Sequence, residues 1–222
     1  MTALHYGVPV RWELAPGLDC LAEVLEKFKV DAPPQAKAKV SLGPLLNGSE
    51  EGFTLPEGSS PAEARLRLGY WVRWRFGMRA RVPVLHAGGV ASKKGALILM
   101  GPAGSGKTTL TGLLLKMGFG YLGEETVSLY GGLAHPELPT TLWPVEPADP
   151  AEPVALVYLR FSPGEKVSLE PLEPAEAAAR LLGCSLNADI KCFFPALAFV
   201  DKVLELRYGE SQLAAQALAE LL

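Results

Sequence analysis

The stretch that most constrains this chain is Gly101-Pro-Ala-Gly-Ser-Gly-Lys-Thr108, which has the form GxxxxGK[ST]. Glycines at this spacing let the backbone curl so that successive N–H groups point inward and can hold phosphate oxygens. The Lys107 side chain would then reach the β- and γ-phosphates of a nucleotide, and the Thr108 hydroxyl could ligate Mg²⁺. The motif predicts a strand, a phosphate-binding loop and a helix in direct succession.

The flanks of the motif agree with that order. An apolar run at residues 96–100 precedes the loop, and apolar side chains follow it at helical spacing. We therefore expect a nucleotide site at this loop. The residues expected to contact the nucleotide are Gly101, Pro102, Ala103, Gly104, Ser105, Gly106, Lys107 and Thr108.

Composition limits the class of protein. The chain has 222 residues, enough for one main core and a small appendage, and 49% hydrophobic with 20% charged residues is typical of a soluble globular protein. The chain has no apolar run of membrane-spanning length and no signal peptide at its start. A net charge of −3 argues against nucleic acid as a partner. Three cysteines without CxxC spacing indicate buried thiols, so we expect a cytoplasmic protein.

The pattern along the chain predicts an α/β protein in two parts. Residues 1–81 carry no catalytic motif and form an N-terminal α+β portion, whereas residues 82–222 form the core around the phosphate loop. Pro9 indicates that the strand containing it lies at a sheet edge. The predicted strands cover residues 8–14, 36–42, 53–55, 82–86, 90–92, 96–100, 119–122, 126–130, 154–160 and 204–208, and the predicted helices cover 18–28, 61–78, 108–117, 174–182 and 210–222.

His86 is a candidate site residue because of hairpin register. If Lys93-Lys94 form a two-residue turn, Ser92 pairs with Gly95 and the same register sets His86 opposite Gly101. The imidazole could then donate to a phosphate, contact the substrate or transfer a proton, although a structural histidine is the alternative. The other two histidines have no comparable placement, and we expect His5 and His135 at the surface.

Two acids, Glu124 and Glu125, follow the first strand after the loop helix. A right-handed crossover makes that strand parallel to residues 96–100, so both strands end at the same crevice. Carboxylates there could ligate Mg²⁺, hold its water ligands or accept a proton from an attacking hydroxyl. Sequence does not distinguish the base from the acid that assists the metal.

Three blocks in order carry a family resemblance. Residues 85–90 (LHAGGV), 95–108 (GALILMGPAGSGKT) and 118–125 (GFGYLGEE) resemble the core of the HPr kinase/phosphorylase family and its smaller relatives. In that family a histidine precedes the phosphate-loop strand and a pair of acids follows the loop helix.

The resemblance implies a fold and a set of roles. The fold would be the phosphoenolpyruvate-carboxykinase-like nucleotide-binding fold, with a mixed sheet. ATP, or another nucleoside triphosphate, would lie on residues 101–109, which adds Thr109 to the contacts. Lys107 and His86 would take part in catalysis, one of Glu124 and Glu125 would accept the proton, and Thr108 with an acid would hold Mg²⁺. The family is oligomeric, so an oligomer is also open for this chain.

Two departures from the family pattern bear on function. Glu-Glu replaces the usual Asp-containing pair, and the glycine-rich signature of genuine HPr kinases is missing. Glu is one methylene longer than Asp, which moves the carboxylate by about a bond length. A displacement of that size can lower the rate roughly a hundredfold. The leading hypothesis is an ATP-dependent kinase acting on an unknown protein or small-molecule acceptor. The alternative is a regulatory nucleotide-binding module with little turnover, and a motor-type ATPase is a weaker third.

Overall fold

A computed structural model describes residues 1–43, 47–49, 51–139, 146–187 and 189–222. The described chain forms two compact units. One comprises Met1–Ala80 with the described part of Leu138–Pro144, and the other comprises Arg81–Glu137 with the described part of Val145–Leu222.

The first unit is a sheet with two helices. The strand order is β1-β2-β3-β5-β4. Ser60 begins α2 as its N-cap, because its hydroxyl accepts a hydrogen bond from the Glu63 N–H at 3.2 Å, and Pro61 occupies the first helical position. The elements are β1 (Thr2–His5), β2 (Val8–Leu14), α1 (Asp19–Glu26), β3 (Ala36–Gly43), β4 (Asn47–Ser49), β5 (Gly52–Pro56) and α2 (Pro61–Arg75).

Two expectations for this unit are wrong. Strand β2 is internal, since it pairs with β1 on one side and β3 on the other. Pro9 is tolerated because pairing with β3 starts one residue later, at Val10. His5 is not at the surface but fully buried, and its Nε2 accepts a hydrogen bond from Trp12 Nε1 at 3.3 Å. The aromatic core of this unit surrounds it, with Phe28 also in ring contact.

The second unit is built on a six-stranded sheet of order β13-β14-β12-β8-β7-β9. Strands β8, β12 and β14 are parallel, whereas β7 and β13 run the opposite way. A smaller sheet has the order β11-β10-β6. The strands are β6 (Val84–Leu85), β7 (Ala87–Ser92), β8 (Gly95–Met100), β9 (Gly120–Gly123), β10 (Val127–Tyr130), β11 (Leu133–His135), β12 (Pro153–Phe161), β13 (Ser168–Pro171) and β14 (Val203–Tyr208).

Helices cover both faces of the larger sheet. The central strand β8 is buried throughout, with Leu97 and Leu99 packed with α3 (Lys107–Lys116) and α5 (Ser211–Ala219) on one face. Ile98 and Met100 pack on the other face with α4 (Pro174–Cys184) and the 3-10 helix Phe194–Lys202. A strand buried on both faces reads as a continuous apolar run, which is why residues 96–100 show no alternation.

The mixed α/β class, with parallel and antiparallel strands, is confirmed. Strands β1, β4, β11 and β13 and the 3-10 helices were missed, because short segments carry little periodicity. Helix α4 (Pro174–Cys184) extends two residues beyond its predicted end at residue 182. The expectation of buried thiols is right for Cys184 and wrong for Cys20 and Cys192, which are partly exposed. Among the described residues, no helix has both the length and the apolar character that crossing a membrane requires.

The buried His5 predicts how stability depends on pH. Burial lowers its pKa to about 3, so between that value and 6.5 the unfolded chain binds a proton that the folded chain does not. The free energy of unfolding should therefore fall by about 2 kcal/mol from pH 7 to pH 5 through this group alone. The measurement is urea unfolding of wild type and His5→Gln, which keeps an acceptor for Trp12, at both pH values. Parallel pH dependence in the two proteins would contradict the buried neutral histidine.

Candidate phosphate-binding site

The phosphate loop connects the buried end of β8 to the first turn of α3. Three of its glycines have positive φ, namely +148° at Gly101, +79° at Gly104 and +92° at Gly106. Gly106 is the N-cap of α3, so the helix begins at Lys107 with its free N–H groups toward the loop. A helix N-terminus together with a glycine-rich turn is suited to binding an anion. The predicted strand, loop and helix are thus present in that order.

Lys107 is folded back onto the loop that it belongs to. Its Nζ donates to the carbonyl oxygens of Gly101 at 2.8 Å and Pro102 at 3.1 Å, and the residue is only 7% exposed. Burial lowers the pKa of Lys107, and the charge of Glu125 and the Cys184 thiol partly oppose that effect. The ammonium group therefore lies against the loop backbone, and a bound phosphate could replace the two carbonyls as its partner.

A residue of β14, the last strand along the chain, holds the loop in place. Tyr208, at the end of β14, is fully buried, and its hydroxyl donates to the carbonyl of Ser105 at 2.7 Å. A side chain on Gly106 would place its Cβ 2.0 Å from that hydroxyl oxygen, so only glycine fits there. Sequence analysis missed this role for Tyr208, because the residue pattern of a strand does not indicate which loop contacts the end of that strand.

The acids lie at the same sheet edge as the loop. Strands β8 and β9 both run antiparallel to β7, which separates them, so they are parallel to each other as predicted. Glu124 follows β9 and is only 4% exposed, whereas the Glu125 side chain is 37% exposed. The charge of Glu125 acts on Lys107 and raises the pKa of that lysine.

His86 lies beside Glu125. The predicted hairpin register is confirmed from Ser92 opposite Gly95 to Ala87 opposite Met100. Strand pairing stops at Ala87, one residue short of His86. Instead of pairing with Gly101, the backbone N–H of His86 donates to the Cys184 carbonyl at 2.7 Å. Its Nδ1 lies 3.1 Å from the Glu125 carbonyl oxygen, to which it can donate, and 3.6 Å from Oε2 of the same residue.

Thr108 and Thr109, at the start of α3, are both exposed, so the Thr108 hydroxyl is accessible to a metal ion. Within the described ranges, no three His, Cys, Asp or Glu side chains lie together as a metal site. Mg²⁺ commonly takes one or two protein ligands and completes its shell with phosphate oxygens and water. Thr108 with one acid fits a metal that arrives with a nucleotide.

Comparisons with known proteins add little to this geometry. No protein-family model and no curated protein sequence matches the chain. Among solved structures, the chain is similar to the Hpr(Ser) kinase/phosphatase from Coxiella burnetii, with a TM-score of 0.35 and 12% identity over 62% of this chain and 93% of that one. A likeness of that size establishes neither a shared fold nor the role of any residue.

The contact between Tyr208 and the loop yields a stability prediction. Gly104→Ala meets nothing within 4 Å, so it should cost only backbone strain, about 1 kcal/mol of unfolding free energy. Gly106→Ala adds the collision with the Tyr208 hydroxyl and should cost at least about 3 kcal/mol. Adding Tyr208→Phe to Gly106→Ala should recover part of the loss, because the hydroxyl is the nearest atom. Equal costs for the two glycine variants in chemical denaturation would contradict this packing.

Proposed function

We propose that this chain binds a nucleoside triphosphate, most simply ATP, with Mg²⁺ at the phosphate loop and transfers its γ-phosphate to a hydroxyl of an acceptor. The observation that carries the proposal is the convergence of Lys107, Glu125 and His86 at one sheet edge. Glu125 acts electrostatically on Lys107 and lies 3.6 Å from His86. A cation beside the phosphates and an accessible carboxylate as base are groups that phosphoryl transfer uses, and the imidazole lies next to that carboxylate.

Each group has a distinct part in the proposed reaction. The loop amides and Lys107, released from the Gly101 and Pro102 carbonyls, stabilise negative charge on the phosphates. Mg²⁺, held by Thr108 and an acid, would neutralise charge on the β- and γ-phosphate oxygens. Glu125 is the proposed base, because it is the more exposed of the two acids and its Oε2 lies 3.6 Å from His86 Nδ1. The buried Glu124 would then support the metal or its water ligands.

The proposal also includes a specific fold for the core and a division of the chain into two parts. A mixed sheet with a hairpin directly before the phosphate loop supports a phosphoenolpyruvate-carboxykinase-like core. All the proposed site residues belong to residues 82–222, so we assign the reaction to that part. Residues 1–81 would be a separate α+β portion without catalytic groups.

A second candidate function is nucleotide binding without transfer. The specific observation in its favour is the burial of Glu124, which leaves one accessible acid where the proposed reaction uses two. Such a chain would retain the phosphate cradle and Lys107 but would position no acceptor.

Calorimetry of ATP binding with Mg²⁺ tests the phosphate cradle. Lys107→Ala should weaken binding by roughly 10- to 100-fold, the cost of losing charge-assisted hydrogen bonds. The matched control is Lys116→Ala, an exposed lysine in the last turn of the same helix, which should bind like wild type. If wild type binds no nucleoside triphosphate, the proposed function is wrong.

Loss of γ-phosphate from ATP separates transfer from binding. Glu125→Gln should reduce turnover, with water or a candidate hydroxyl compound as acceptor, by at least about 100-fold while leaving ATP affinity within about threefold. Glu124→Gln should also slow turnover through the metal. Glu23→Gln, on the exposed side of α1, serves as the carboxylate control. Tight binding of ATP by wild type without any transfer or hydrolysis would favour the second candidate.

A further inference from the structure

Arg180 is a cation near the phosphate loop and is not among the groups assigned above to the proposed reaction. It lies on α4 one turn before Cys184, so both residues share one face of that helix. Its guanidinium carbon lies 4.5 Å from the ring centroid of Tyr158. Tyr158 is paired in register with Met100, the residue that precedes the loop. The helix and the ring together hold the guanidinium beside the start of the loop.

The thiol of Cys184 locates Arg180 relative to the other site groups. Burial raises the pKa of Cys184, while a hydrogen bond with the Gly101 backbone and the charges of Lys107 and Arg180 act in the opposite direction. This buried thiol thus interacts with the loop backbone, and the charges of both cations act on it. His86, between β6 and β7, contacts the same residue, since its N–H donates to the Cys184 carbonyl.

The guanidinium has donor capacity left for a ligand. Nη2 donates to Glu176 at 2.8 Å, and Tyr158 contributes its ring face and a side-chain hydrogen bond. Nε is buried and has no hydrogen-bond partner among the described residues. A guanidinium carries five N–H donors in a fixed fork that matches the oxygens of a phosphate. The Arg180 side chain is 33% exposed, so part of this fork is accessible to a ligand.

Other arginines differ from Arg180 in these respects. Arg67, on α2, makes a similar helical ion pair with Glu63 at 3.7 Å, but both side chains are 44% exposed. Arg160 and Arg207, on the larger sheet, share the buried carboxylate of Glu205. Arg180 combines a packed ring, a buried donor and proximity to the loop.

We propose that Arg180 binds the γ-phosphate of the nucleotide from the α4 side of the loop, as a second protein cation beside Lys107. The inference rests on the proposed function, since it requires a triphosphate at the loop. Lys107 would approach the phosphates from α3 and Arg180 from α4, on the opposite face of the sheet. Two cations on either side of the transferred group stabilise the charge that spreads over its oxygens during transfer.

The test compares a nucleotide that has a γ-phosphate with one that lacks it. Calorimetry with Mg²⁺ measures the binding of a non-hydrolysable ATP analogue and of ADP to wild type and Arg180→Gln. The variant should bind the ATP analogue roughly 10- to 100-fold more weakly and ADP within about twofold of wild type. Arg180→Lys keeps the charge but loses the fork, so its affinity for the ATP analogue should lie between those of wild type and Arg180→Gln. Arg67→Gln, which removes the exposed helical arginine, should match wild type for both ligands.

The outcomes separate this inference from the function on which it rests. If wild type binds both nucleotides and Arg180→Gln weakens both by the same factor, or neither, Arg180 does not contact the γ-phosphate and the proposed function stands. If wild type binds neither nucleotide, both proposals are wrong. Because ADP binding by Arg180→Gln reports an intact loop, a selective loss of the ATP analogue is not explained by misfolding.

Discussion

The hydrogen bond from Tyr208 to the Ser105 carbonyl fixes the phosphate loop to the sheet, and the geometry of the site depends on it. The bond joins the end of β14 to the centre of the loop and leaves no room for a side chain on Gly106. Such a bond contributes only about 1 kcal/mol net, but losing its donor would leave a buried carbonyl unsatisfied at a cost of roughly 1–3 kcal/mol. The bond holds the loop against the sheet, so less ordering entropy would oppose the proposed phosphate binding.

Around this loop, the second unit brings ionisable groups from several elements to one sheet edge. Lys107 comes from α3, Glu125 from the end of β9, and His86 from the segment between β6 and β7. Parallel strand directions account for the acids, because β8 and β9 end on the same side. Lys107 donates to two loop carbonyls and makes no ion pair with any of the described residues. Such a site can accept an anionic ligand without first breaking a strong ion pair.

Much of this could be predicted from the sequence, and the rest could not for identifiable reasons. The loop motif has a fixed relation to its flanking strand and helix, and the Lys93-Lys94 turn fixes register, so β7, β8 and α3 were predictable. Register did not place His86, because its backbone leaves β7 and bonds to Cys184, far away in sequence. Tyr208 and Arg180 were unpredictable for the same reason, as their roles arise from packing between distant segments. The surface position predicted for His5 was wrong because a polar side chain can be buried when it is hydrogen-bonded, as His5 is by Trp12.

The central claim is that residues 101–108 form a working phosphate cradle. Amide resonances in a ¹H–¹⁵N NMR titration with Mg²⁺ and ATP test it most directly. Saturable shifts should concentrate on the amides of Gly101, Gly104, Gly106, Lys107 and Thr108, with the amides of β1–β5 unchanged. The absence of shifts in the loop at millimolar ATP, or shifts confined to another part of the chain, would contradict the account.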